Sequence, residues 1–150
     1  MKYPSLAMKK TERVPVFVDA GPLIALMDPD DQWRAYALRV LKNLQETNRS
    51  LVTSNLVLLE VYSALVGRVE RSAIAKFRAT LRSSGDIRVE RVDVFLEELA
   101  WQLFMRYDDK AVGMVDCTSF AIMEQWRITE VFTFDRHFKQ VGFQTLPRLK

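Results

Sequence analysis

The sequence predicts an α/β fold: a central, mainly parallel sheet flanked by helices. Three observations carry that expectation. Short apolar runs at 14–18, 51–53 and 131–134 are rich in β-branched and aromatic residues, and the first reads as a strand buried on both faces. Stretches with apolar residues at helical spacing separate these runs, so strands and helices alternate along the chain. The first run ends in one carboxylate, Asp19, just before a helix start, and in open α/β sheets that edge of the strands is where ligands bind.

At 150 residues and 49% apolar composition, the chain is expected to form a single domain over 14–150 behind a loose arm at 1–13. The arm carries basic residues but no sustained apolar core of the signal-peptide type. The longest apolar runs are broken by Asp19, Glu60 or Asp116 and fall short of a membrane span of roughly 20 residues. A cytoplasmic protein is the expectation. The lone cysteine, Cys117, excludes an intramolecular disulfide and a thiolate zinc site, and reads as a small core residue. His137 reads equally as a helix-face histidine or as a group that positions a phosphate. The 22 basic and 19 acidic side chains give a net charge of +3. With four acids sequestered in a site, 15 acids remain against the 22, a basic exterior suited to an anionic polymer.

Taken in order, the strand at 14–18 passes into a helix at Gly21 and Pro22, since proline fits the first turn. Residues 27–31 form a loop whose acids, Asp30 or Asp31, cap the next helix. From 32 to 47, Trp33, Ala37, Leu41 and Leu44 recur at helical spacing. A short strand at 51–53 leads through a cap at Ser54 or Asn55 into a helix over 56–66, apolar nearly all round and therefore expected to be buried, ended by Gly67. The helix over 70–82 sets Ile74, Phe77 and Leu81 against a stripe of Arg71, Arg78 and Arg82, a solvated face or a phosphate contact. After a break at 83–85, residues 87–92 alternate as in a strand exposed on one side. Asp93 caps a helix that buries Leu96, Leu99, Leu103 and Tyr107. A polar loop with Asp108 and Asp109 precedes Asp116 and the helix at 117–126. A last strand, a short helix and a closing strand at 143–146 complete the chain.

Four lone acids recur in apolar surroundings. Glu60 is the only charged residue from 51 to 66, Asp116 the only one from 111 to 123, and Asp135 closes the strand at 131–134. Individually, Glu60 reads as a satisfied structural acid and Asp116 as an N-cap. Together they need a common cause, because an ionised carboxylate removed from water is costly unless paired or bound to metal. Convergence on a divalent cation supplies one, and hard oxygen ligands suit Mg²⁺ or Mn²⁺.

The segments VFVDAGPLIA (16–25), SNLVLLE (54–60), DCTSFAIM (116–123) and FTFDRHF (132–138) resemble the PIN-domain nucleases, and most closely their toxin branch, the VapC-type ribonucleases. The resemblance spans about 14–143. It implies a three-layer α/β/α sandwich, magnesium or manganese held by Asp19, Glu60 and Asp116 with Asp135 as the fourth acid, and endonucleolytic cleavage of RNA by a metal-activated water. It further implies a homodimer and an antitoxin whose tail covers the acidic pocket. The family often has Ser or Thr just before the third acid, where this chain has Gly113, Met114 and Val115; Thr53, Ser54, Thr118 and Ser119 are the candidates to replace that hydroxyl. A receiver-like domain would need a second acid beside Asp19, and a haloacid-dehalogenase-like phosphatase an acid at position 21, which is glycine. The remaining alternatives are a non-catalytic PIN-fold binding module and a PIN nuclease of RNA processing.

Overall fold

The computed structural model describes residues 13–148, so the expected arm at 1–13 lies, apart from Arg13, outside the described residues. Strand β1 (Val16–Val18) is fully buried and passes directly into α1 (Ala20–Met27), with Pro22 in its first turn. Helix α2 (Arg34–Glu46) buries Ala37 and Leu44, and Arg34 Nη1 donates to the Leu26 carbonyl at 2.8 Å, tying α2 to the end of α1. Strand β2 (Leu51–Ser54) leads into α3 (Asn55–Leu65), where Ser54 Oγ accepts the Val57 N–H at 3.0 Å and caps the helix. Gly67, at φ +83°, supplies the left-handed residue that ends it. Helix α4 (Arg71–Ser83) and strand β3 (Ile87–Glu90) follow. Asp93 caps α5 (Val94–Arg106) through the Leu96 N–H; then come α6 (Met114–Gln125), β4 (Glu130–Phe132), α7 (His137–Gln140) and β5 (Gln144–Leu146).

The five strands form one sheet in the order β3-β2-β1-β4-β5, every neighbour parallel. Phe17 on β1 pairs with Val52 on one side and Val131 on the other, which makes β1 the centre. From β1 the chain steps outward through β2 and β3, then returns to the opposite side for β4 and β5. Helix α1 packs against α2 and α3, and α5 against α6, so that helices flank the parallel sheet in a three-layer α/β/α sandwich. The core is aromatic and aliphatic: Phe17, Phe120, Phe132 and Phe138 are fully buried, and Phe120 meets Phe138 nearly at right angles with centroids 4.9 Å apart.

Two local expectations change. Helix α3 buries only one side, through Val57, Leu58, Val61 and Leu65, while Leu59 is 58% exposed and Glu60 faces outward. Its apolar sequence reported hydrophobicity, but among the described residues nothing packs over that crest. In the loop after α1, neither Asp30 nor Asp31 caps α2: Trp33 holds the cap position, Asp31 accepts the Trp33 N–H at 2.8 Å, and the buried Asp28 accepts the Asp30 N–H and lies 3.5 Å from Arg68.

Candidate metal centre

The return of the chain across β1 opens a crevice between β1 and β4 at the carboxyl ends of the strands, the switch point where α/β sheets bind ligands. Asp19 is the first residue beyond β1, held by its N–H to the Phe132 carbonyl at 3.0 Å. Asp135 stands three residues past the end of β4. Between them Thr133, fully buried, donates its hydroxyl to Asp19 Oδ2 at 2.8 Å and accepts the Asp135 N–H at 2.9 Å, so one side chain orients both acids. Asp135 Oδ1 in turn accepts the His137 N–H at 2.9 Å. His137 Nδ1 comes within 2.9 Å of the same oxygen but out of line for a hydrogen bond, and among the described residues this buried nitrogen makes none.

Asp116 enters from the other face. It is the third residue of α6, not its cap, and Oδ2 accepts the N–H of the capping Gly113 at 3.2 Å. The first turn of a helix also favours negative charge there. Ligand atoms of Asp116, Asp135 and His137 all lie within 4.8 Å of one another. Glu60, exposed on α3, is close enough for its charge to act on Asp19 and for those of Asp116 and Asp135 to act on it.

The electrostatics show how crowded these carboxyls are. Burial pushes the Asp19 pKa from 3.8 up to about 7; the Thr133 hydrogen bond opposes that, and the charges of Asp116 and Glu60 add to it. The Glu60 carboxyl is raised by desolvation and then by Asp116 and Asp135. Asp116 is raised by burial, with Asp135 adding to the shift and the Gly113 hydrogen bond and His137 opposing it. Burial is thus the main reason that three of the four acids stand above their ordinary range, with the charges of their neighbours adding to it, and Asp116 and Asp135 are the two of the four whose ligand atoms group with those of His137. The donors are hard carboxylate oxygens with one imidazole beside them, a set that fits a small divalent cation such as Mg²⁺ or Mn²⁺.

Other candidates fall away from the crevice. Asp108 and Asp109 are exposed, and Asp109 pairs with Lys110 at 3.2 Å. Cys117 is buried, its thiol pushed up to about 11 by burial and then by Asp116, which leaves it protonated near neutral pH. The hydroxyl that serves the site is Thr133, none of the four candidates considered: Thr53 donates to the Val18 carbonyl, Ser54 caps α3, Thr118 donates to the Val115 carbonyl, and Ser119 Oγ is buried without a partner among the described residues. The available signal was a polar residue two positions before Asp135, hence on the same side of an extended chain.

The PIN domain family profile matches residues 16–144. The chain is 36% identical over 129 residues to the 23S rRNA-specific endonuclease VapC20 of Mycobacterium tuberculosis, in the sequences of strains CDC 1551 / Oshkosh and ATCC 25618 / H37Rv, with 85% of this chain and 95% of the relative covered. The crystal structure of M. tuberculosis VapC20, described as a sarcin-ricin-loop-cleaving toxin, superposes with a TM-score of 0.74 at 34% identity, covering 85% of this chain and 95% of that one. By its profile match, its identity to VapC20 and its parallel α/β/α sandwich, this chain belongs to the PIN-domain family, in its VapC-type branch.

Proposed function

We propose that this protein is a metal-dependent endoribonuclease, the toxin of a toxin-antitoxin pair, which cleaves an RNA phosphodiester with a water molecule. The observation that carries the reading is the convergence of Asp19, Glu60, Asp116 and Asp135 from both sides of one crevice. These acids would hold Mg²⁺ or Mn²⁺, with His137 at the edge of the set. A divalent ion held by them would supply activation of a water and neutralisation of charge on the phosphate and the departing oxygen.

The chain's own residues supply position. Thr133 fixes the carboxylates of β1 and β4 relative to each other, and the start of α6 aims Asp116 between them. No protein nucleophile is called for, in keeping with a buried and protonated Cys117. Similarity to an enzyme specific for 23S rRNA makes structured ribosomal RNA, the sarcin-ricin loop in particular, the first substrate to assay. The proposed assembly is a homodimer bound by an antitoxin, acting in the cytoplasm; among the described residues no helix is long and apolar enough to cross a membrane. Incubating the protein with a sarcin-ricin-loop RNA in Mn²⁺ should give one discrete cut. EDTA should abolish it, as should Asp116→Asn or Glu60→Gln. Full activity in EDTA, or undiminished activity in both variants, refutes the reading.

A further inference from the structure

The arginines of α4 find a place on the opposite flank of α3 from the acids. There α3, α4 and β3 enclose a groove of about 330 Å³, floored by Leu58 and Leu81. Its polar wall consists of Asn55, Tyr62, Arg78, Arg82 and Arg91, and no carboxylate lines it. The three arginines are exposed, and among the described residues none makes an ion pair. Asn55 Oδ1 is already occupied by the Val92 N–H at 2.7 Å, which leaves its NH₂ as the free end. The wall therefore offers donors almost throughout and matches an acceptor-rich ligand. Tyr62 supplies a flat apolar surface, its ring set at 79° to Phe77 with centroids 6.5 Å apart. Burial raises the Tyr62 phenol, and the charges of Arg78 and Arg82 pull against that shift, so both guanidinium groups act on the groove.

One helix, α3, separates the groove from the acids. At about 100° per residue, Tyr62 and Asn55 lie roughly 140–160° round α3 from Glu60, with the exposed Leu59 at the crest between. A strand passing over Leu59 follows an arc of roughly 12–17 Å from one side to the other, given a helix diameter of about 10–12 Å.

We propose that this groove holds an unpaired nucleotide of the RNA beside the cut, its base against Tyr62 and the leucine floor and its flanking phosphates on Arg78, Arg82 and Arg91. The proposal rests on the endoribonuclease reading. Single-stranded RNA is recognised by this combination of aromatic surface and basic rim. A space of this size fits one base, whereas a docked protein helix needs a longer trough.

The test is fluorescence anisotropy in EDTA, where no cleavage occurs, with a short labelled single-stranded RNA of mixed sequence titrated at several salt concentrations. For single strands each lost phosphate contact should flatten the slope of log K against log salt by about 0.7, so Arg78→Ala/Arg82→Ala should flatten it by about 1.4. The corresponding lysine pair should restore the slope. Tyr62→Ala should weaken binding by about tenfold or more, and Tyr62→Phe should not. Arg39→Ala, which removes a guanidinium lying over Tyr36 on α2, is the control and should leave the slope unchanged. An unchanged slope and affinity in the folded double variant overturns the proposal, as does loss of a co-purifying acidic protein with RNA binding intact. Cleavage in Mn²⁺ separates this inference from its premise. If the parent cuts and the double variant cuts with the same KM, the groove is wrong and the nuclease stands. If RNA binds through the groove but is never cut, the nuclease is wrong and the groove stands.

Discussion

Replacing Asp19 with asparagine should stabilise the metal-free protein at alkaline pH. The folded state holds this carboxyl near 7, against 3.8 ordinarily, with burial as the main cause. Between those values the unfolded chain has lost the proton and the folded chain keeps it, so stability falls as pH rises from about 4 to about 7 and stays low above that. At 1.36 kcal/mol per unit, a shift of about three units costs the parent up to about 4 kcal/mol at pH 8. Asparagine keeps a carbonyl to accept the Thr133 hydroxyl but never ionises; losing the charge on that bond forfeits about 1 kcal/mol. The variant should then be more stable by about 3 kcal/mol at pH 8, which for a domain of this size is roughly 6–12 °C in Tm. Near pH 4 the two should agree to within about 1 kcal/mol. Scanning calorimetry of both proteins in EDTA across this pH range measures the gap. A gap that does not change with pH, or a variant less stable at pH 8, refutes the account of Asp19 as an ionisation penalty awaiting a cation. Saturating Mn²⁺ should reverse the order: at a thousand times Kd the parent gains about 4.1 kcal/mol and the variant far less.

Other outcomes follow from the same geometry. Thr133→Val should weaken Mn²⁺ binding about 10- to 100-fold by calorimetric titration, because it frees Asp19 Oδ2 and strips the Asp135 N–H of its acceptor; Thr133→Ser should restore it. Phe120→Ala should cost about 3–5 kcal/mol in urea unfolding, since Phe120 is wholly buried against Phe138, Phe143 and Tyr107. The proposed homodimer has an apolar stripe available on α5, where Val94, Trp101 and Met105 are all at least half exposed at helical spacing. Trp101→Glu should shift light scattering from dimer to monomer, and a parent that scatters as a monomer at micromolar concentration removes the dimer.

Each acid stood out in the sequence because it breaks an apolar segment, where a buried charge would be costly; that reason does not extend to Glu60, which is exposed on α3. The strands around Asp19 and Asp135 were legible for the same reason, since central strands are apolar on both faces. Thr133 was hidden within Val131, Phe132 and Phe134, where threonine is an ordinary strand former; only the paired contacts to Asp19 and Asp135 reveal its role. The exposed crest of α3 was equally hidden, because a run of leucines and valines does not say whether a neighbour covers it. The groove opposite Glu60 depends on the approach of β3 and α4 to α3, and spacing along α4 alone left its arginines as an unassigned stripe.

The position of β1 between β2 and β4 also governs when the crevice comes into being. Its two halves are 114 positions apart in the chain, joined at the Thr133–Asp19 hydrogen bond, and such distant pairings form late because loop closure must precede them. During synthesis, β1 to β3 and their helices emerge first and can associate while the chain past Glu90 is still being made. Asp116 and Asp135 arrive only with the final third. A nascent chain at the ribosome is thus catalytically silent until its last strands dock, and the mutual repulsion of the carboxylates is postponed to the step at which a cation is able to enter.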